Sequence, residues 1–316
     1  MGPGMTGATA ERPHRKLAGA LTIMAAVLVT SLQDAFIKDV SAAYPISQMQ
    51  TIRSFVALLL ILIWIALNGG LSPLFTTRPS WLLLTRAFVL SLASLSFYLA
   101  LAAMHFPDAV SIYFSMPFII AALSGLIIGE KVPASRWLAV GVAFVGVMIV
   151  MQPGSGVFEP ASLIALFSTL CYAVGLMLTR PLGVKMDANV IGFWQMLFYA
   201  GSGVLLSLVL GSGAFHDPAH PSLSYLTAPW RMPSNVDLLV LVGTGFGAAA
   251  ATVLYTVAYR IASPSFVAPL EYTTLLWVSI WSYLFWREVP ADTTLMGAAL
   301  IIAAGLWMIW KDRHPG

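Results

Sequence analysis

An all-α integral membrane fold, ten transmembrane helices arranged as two inverted five-helix repeats, is what this sequence predicts. Three observations carry that expectation: a scarcity of charge, ten apolar stretches of spanning length, and an internal repeat whose unit holds an odd number of helices. Of 316 residues, 59% are hydrophobic and only 9% charged, whereas soluble domains carry about 25% charged residues. So little charge cannot cover a water-facing surface, and lipid becomes the solvent for much of the chain. The single cysteine, Cys171, lies in an apolar stretch, which excludes a disulfide framework, a CxxC pair and a cysteine metal site. A net charge of +3 does not point to nucleic acid. The expected partners are the lipid bilayer and a small-molecule solute, with no nucleic acid, and no cofactor is implied.

A spanning helix needs about 20 mostly apolar residues. The first, Leu17–Ile37, follows Arg12, Arg15 and Lys16, as a signal peptide would begin, but it is long enough to span and holds no cleavage-like site. Residues 1–16 are therefore expected as a cytoplasmic tail. The second and third spans, Ile46–Leu67 and Trp81–Ala103, are separated by Asn68-Gly69-Gly70 and further polar residues. Ala109–Gly129 and Ala134–Met151 complete the first half, and Gln152-Pro153-Gly154 ends it. The second half reads as Ala161–Thr179, Val190–Leu210, Val236–Ala258, Ser265–Trp286 and Thr293–Trp310. Short connections make consecutive helices antiparallel neighbours. Residues 211–235 are the exception, a Pro- and His-containing loop read as too polar to enter the bilayer.

Orientation follows from counting Lys and Arg. With the N-terminus inside, inner segments hold Arg12, Arg15, Lys16, Arg78, Lys131, Arg136, Arg180, Lys185, Arg260, Lys311 and Arg313, against Lys38, Arg231 and Arg287 outside. Both termini are thus expected to be cytoplasmic, in an inner-membrane, multi-pass protein.

The repeat is visible in Tyr98 to Val110, where Tyr98, Pro107 and Val110 align at one offset with Tyr255, Pro264 and Val267. Gly129-Glu130-Lys131-Val132-Pro133 is echoed by Arg287-Glu288-Val289-Pro290, and Gly141 and Gly146 in the helix that follows by Gly297 and Gly305. Two five-helix units in series, 17–152 and 160–312, must sit upside down relative to each other. That arrangement is typical of secondary transporters, with a solute site near the midplane.

These halves, the Gly129-Glu130 turn with its echo at Glu288, and Arg53 early in the second span resemble the drug/metabolite transporter superfamily, in its EamA-like branch. The resemblance covers residues 17–312 and implies a ten-helix carrier whose central cavity opens alternately to each side. Within that family, Asp34-Ala35-Phe36-Ile37-Lys38, Tyr44-Pro45 and Gln48-Met49-Gln50-Thr51-Ile52-Arg53 look most like carriers of riboflavin or S-adenosylmethionine-like metabolites. The same segments put Gln50 beside Arg53 as a pathway candidate.

Charge at the bilayer centre costs from ~3 to more than 10 kcal/mol, so each such residue needs a partner or a wet cavity. Four lie within spans: Asp34, Arg53, Arg86 and Glu271. By a rise of ~1.5 Å per residue, Asp34 and Arg53 each lie roughly 10 Å from the outer surface, Arg86 and Glu271 roughly 9 Å from the inner one. Matched depth and opposite sign predict two ion pairs, Asp34–Arg53 and Arg86–Glu271, acting as gates or solute anchors or simply fixing helix register. Lys38 lies one turn beyond Asp34 and serves either binding or topology. If transport is proton-coupled, Asp34 or Glu271 should carry the proton.

Uncharged candidates complete the set. Thr244, Thr252, Tyr255 and Tyr259 share a narrow arc of the eighth span, with Ser94 and Tyr98 as a shorter equivalent in the third. On the ninth span Trp277 and Trp281 lie one turn apart with Thr274 nearby, and the seventh carries Trp194 and Gln195. Such aromatics with a few hydrogen-bonding groups suit a planar, heteroaromatic solute, although packing explains them equally well. The fifth and tenth spans, rich in small residues, are expected to support the cavity wall or to meet a second protomer in a homodimer. Gly125/Gly129 and Gly243/Gly247 have the spacing that lets helices approach closely.

Against an enzyme stand the lack of GxSxG and HExxH motifs and the placement of all five histidines outside or at the ends of spans. Against a channel stands the lack of a filter-like loop. The expected function is a secondary transporter moving a small organic metabolite by alternating access, most narrowly riboflavin or a flavin-like solute inward, with export of amino acids or drugs as the alternative.

Overall fold

The computed structural model describes residues 13–68, 70–76, 79–123, 134–152, 159–183, 186, 188–261 and 268–313. The described residues are helical wherever they are regular. Helix α1 covers Pro13–Val40, α2 Ile46–Asn68, α3 Ser72–Thr76, α4 Trp81–Leu101, α5 Phe106–Tyr113, α6 Met116–Leu123 and α7 Ala134–Met151. Then follow α8 (Ala161–Gly183), α9 (Ala188–Leu210), α10 (Pro221–Thr227) and α11 (Asn235–Ile261). A 3-10 segment, Ala268–Thr273, leads into α12 (Thr274–Trp286), and α13 (Asp292–Arg313) ends the bundle.

Six of the described helices are long and apolar enough to cross a membrane: Leu17–Val40, Ile46–Asn68, Trp81–Leu101, Ala161–Thr179, Val190–Leu210 and Asn235–Tyr255. The other four expected spans meet shorter apolar helices or interrupted ones, including Phe106–Ile120, Trp137–Met151 and Asp292–Met308. Ala109–Gly129, expected as one continuous span, is broken between Tyr113 and Met116. Pro117 supplies the reason: it has no N–H to return to the Tyr113 carbonyl, and its ring crowds that turn. The expected Ser265–Trp286 span is likewise not a uniform α-helix, because 268–273 is wound as 3-10 around Pro269. The two irregular stretches fall at equivalent places in the repeat, and their rings touch, Phe114 and Tyr272 lying 5.1 Å apart edge to face. The Gly129–Pro133 turn, the Gly125/Gly129 spacing and Ser263-Pro264 lie outside the described residues.

Each helix divides its faces by solvent. Along α2, Arg53, Ala57, Ile61 and Ile65 are buried while Phe55, Leu59, Ile63 and Leu67 are exposed. Both rows follow the i, i+4 periodicity of one helical face. The exposed row is as apolar as the buried one, which suits lipid rather than water. Packing between helices obeys an approximate two-fold rule. Helix α4 runs along α8 as α1 runs along α11, α2 packs on both α9 and α11, and α7 packs on α13. With little apolar driving force inside lipid, close backbone approach has to hold such pairs together. At the α7–α13 crossing a Cβ on Gly146 would come 2.8 Å from the Gly297 carbonyl oxygen, and one on Gly297 would come 2.5 Å from that of Gly146. On α11, Gly245 is the tight position, 2.8 Å from the Arg53 carbonyl oxygen by the same construction. Gly243, singled out from the sequence, faces open space.

The bundle has two ends. One holds both described termini. The other, the loop end, gathers the turn after α1, the turn after α4, and residues 211–234 with their short helix α10.

Candidate functional site

Below the loop end, α1, α2 and α4 converge on a group of three side chains. The Tyr98 hydroxyl donates to Asp34 Oδ1 at 3.0 Å. The Arg53 guanidinium stands over the Tyr98 ring, 5.1 Å from its centroid. Asp34 and Arg53 form no salt bridge, although they remain within electrostatic reach of each other, and Tyr98 joins them in a three-part arrangement, bonding one and stacking on the other. Gln33 Nε2 also donates to Asp34 Oδ1, at 3.4 Å.

Arg53 is only 9% exposed, and its Nε and Nη1 donors have no hydrogen-bond partner among the described residues. Buried polar groups are nearly always satisfied, so two orphaned donors on one guanidinium mark a place where an acceptor is wanted. Arg53 borders a small cleft, with room for about one water, lined by Ile46, Met49, Gln50, Tyr98 and Tyr225, among others. Gln50 is 2% exposed, and its amide donates to the Tyr199 carbonyl at 3.4 Å.

The second expected ion pair does not form either. Arg86 donates from Nε to Thr179 Oγ1 at 2.6 Å and from Nη1 to Gln195 Oε1 at 3.2 Å. Topology decides this: α4 packs against α8 and α9, whereas the 3-10 segment bearing Glu271 packs against α1, α12 and α13. Arg86 and Gln195, picked separately from the sequence, thus become one polar group, with Gln195 Nε2 lacking a partner among the described residues. Glu271 instead lies within electrostatic range of Tyr113, Tyr172, Tyr255 and Tyr272.

The remaining candidates scatter. Trp277 stacks on Trp281 at 6.3 Å and packs with Tyr255 against Ile23, Val27 and Ala258. Trp281 Nε1 donates to Ser31, while Trp277 Nε1 and Trp194 Nε1 are buried with no partner among the described residues. Thr252 and Thr274 turn their hydroxyls back onto Ala248 and Glu271 carbonyls, 2.8 and 2.6 Å away. The Tyr259 side chain lies outside the described set. Lys38 is away from the cavity: Nζ donates to the Met104 carbonyl at 2.6 Å, pairs with Glu288 at 3.7 Å and lies 4.9 Å from the centre of the Trp286 ring. It ties the end of α1 to the turn after α12.

Sequence reasoning missed the loop. Residues 211–235 were expected to be a polar connection, yet α10 delivers Tyr225, 2% exposed, to the cavity wall. The signal was present: His220-Pro221 is a helix start, with His220 Nδ1 accepting from the Ser222 N–H at 3.2 Å.

With this geometry in hand, the chain's family can be stated: it belongs to the EamA-like transporter family, whose description matches residues 17–152 and 160–310. It is 27% identical over 307 residues to a riboflavin transporter of Rhizobium johnstonii, covering 96% of this chain and 95% of that one. It is 23% identical to an S-adenosylmethionine uptake transporter of Rickettsia prowazekii, over 94% of each chain. A pseudopaline exporter, CntI, of Pseudomonas aeruginosa is 24% identical over 90% of this chain and 94% of its own. A solved crystal structure with 16% sequence identity matches at a TM-score of 0.61, over 96% of this chain and 100% of the other, and shares the fold. These likenesses make the protein a multi-pass membrane transporter of a small-molecule metabolite, and they indicate transport rather than enzyme chemistry.

Proposed function

We propose that this chain is a ten-span secondary carrier, working by alternating access between two inverted halves, 17–152 and 160–312, in an inner membrane with both termini cytoplasmic. The carrying observation is the buried Arg53, with two donors unmet, bordering a cavity that faces Tyr98 and Gln50. An acceptor-bearing solute entering that cavity would satisfy the guanidinium, and the rings of Tyr98 and Tyr225 offer faces to a planar one. The bias of Lys and Arg supports the orientation, which puts the loop end outside.

The narrower reading is uptake of riboflavin or a flavin-like solute, supported by the segments around Asp34, Tyr44 and Arg53 and by the named riboflavin transporters among the relatives. Export is the second reading, favoured by the likeness to a pseudopaline exporter. The deciding experiment is uptake of radiolabelled riboflavin by cells that cannot synthesise it, with and without the gene and with Arg53→Ala. Saturable, gene-dependent uptake lost in a normally inserted variant supports import through Arg53. No uptake with the protein correctly inserted removes the flavin reading and turns the test to export.

A further inference from the structure

We propose that residues 211–234 form the outer gate of the solute pathway and that Tyr225 is the solute-facing residue this gate carries. The inference rests on the carrier reading above. The loop belongs to the second half of the chain, but it docks on the first. Trp230 Nε1 donates to Ser47 Oγ at 3.1 Å. Gln48 clasps the backbone of Arg231 twice, its Nε2 donating to the carbonyl at 2.8 Å and its Oε1 accepting from the N–H at 3.1 Å. Ser222 Oγ donates to the Leu99 carbonyl at 2.7 Å, and the Tyr225 hydroxyl reaches Met49 Sδ at 3.2 Å. His220 Nε2 and Glu159 Oε1 meet at 2.9 Å beside the connection between the halves. Just beyond the loop, Tyr44 donates to Asp237 Oδ2 at 2.6 Å.

Every one of these contacts lies at the loop end, the end from which the loop reaches the cleft that Arg53 borders. Tyr225 is the member of the loop that lines it. The space has room for about one water, far short of the roughly 300 Å³ at which ligand pockets begin. A metabolite reaching Arg53 from this end must therefore displace the loop. The clasps made by Gln48 and Ser222 are suited to release: they engage backbone groups that water can satisfy when the loop lifts, and Trp230, Arg231 and Met232 are already exposed. Tyr225 would then meet the solute as the loop returns, making the gate part of the selectivity.

The test needs no known solute for the gate itself. In a Cys171→Ala background, Gln50→Cys places a reporter thiol on the cavity wall. A membrane-impermeant thiol reagent is applied to intact cells from outside. Labelling is expected to be slow with the docked loop and to rise about tenfold when Gln48→Ala and Trp230→Ala remove its clasps, as for any opening equilibrium relieved of closing contacts. Gln48→Ala alone, the milder variant, should give an intermediate rate if the double variant fails to fold. An unchanged rate in a folded, inserted variant would overturn the gate. The role of Tyr225 is read separately, by flux: Tyr225→Ala should raise KM at least several-fold while Tyr225→Phe keeps it near the parent value, and equal behaviour of the two would overturn the contact. A failure to find any transported solute counts against the carrier reading alone, since the labelling result stands without it.

Discussion

Arg53 and Asp34 share one tyrosine rather than each other: the guanidinium lies 5.1 Å from the Tyr98 ring centre, and the same residue's hydroxyl bonds Asp34 at 3.0 Å. Two opposite charges in a low-dielectric interior would attract strongly if brought into contact. With the guanidinium over the ring and not on the carboxylate, Nε and Nη1 have no partner among the described residues, donors that a direct salt bridge would consume.

Tyr98 should consequently couple the two charges. Tyr98→Phe keeps the ring and removes the donor to Asp34, and is expected to cost about 1 kcal/mol of stability. Tyr98→Ala removes both and should cost more. The coupling between Asp34→Asn and Arg53→Gln, read from thermal unfolding in detergent as a double-mutant cycle, should shrink in the Tyr98→Ala background. An undiminished coupling would mean that the charges meet directly.

Shape as well as charge should matter at Arg53. Arg53→Lys preserves the cation and loses the planar fork, so it should raise the KM of whatever solute is identified by about tenfold, the equivalent of roughly 1.4 kcal/mol. A lysine variant with parent kinetics would assign Arg53 a purely electrostatic role.

Arg86 should behave as a partner of Gln195 and be indifferent to Glu271. Arg86→Met with Gln195→Leu is expected to show a coupling of about 0.5–3 kcal/mol, while Arg86→Met with Glu271→Gln should be additive within about 0.5 kcal/mol. The reverse pattern would restore the ion pair that charge and depth suggest.

Helices α7 and α13 should tolerate no bulk at their crossing. Gly146→Val or Gly297→Val is expected to destabilise the fold by about 1–3 kcal/mol through overpacking, whereas Gly243→Ala, facing open space, should be close to neutral. Melting temperatures of the purified variants check this, and a stable Gly297→Val would show that the crossing can part freely.

Much of the architecture is legible in the chain. Spanning length and scarcity of charge are properties of consecutive residues, so the six long helices and the repeat around Tyr98 and Tyr255 can be read directly. The break in the fourth stretch was equally readable from Pro117 and was hidden by the apolar run around it. Helix α10 was announced by His220-Pro221 and hidden by the polar residues that flank it.

Pairing is another matter. Depth and sign along a sequence place Asp34 level with Arg53 and Arg86 level with Glu271, but they say nothing about which helix lies beside which. The packing of α4 against α8 and α9 gave Arg86 to Thr179 and Gln195, and the meeting of α1, α2 and α4 inserted Tyr98 between Asp34 and Arg53. Composition and pattern along the chain are enough to set the solvent, the helices and the polar residues that lipid makes costly. Only the tertiary structure decided their partners, because hydrogen bonds and charge contacts act over a few ångströms in directions that one helix cannot specify for another.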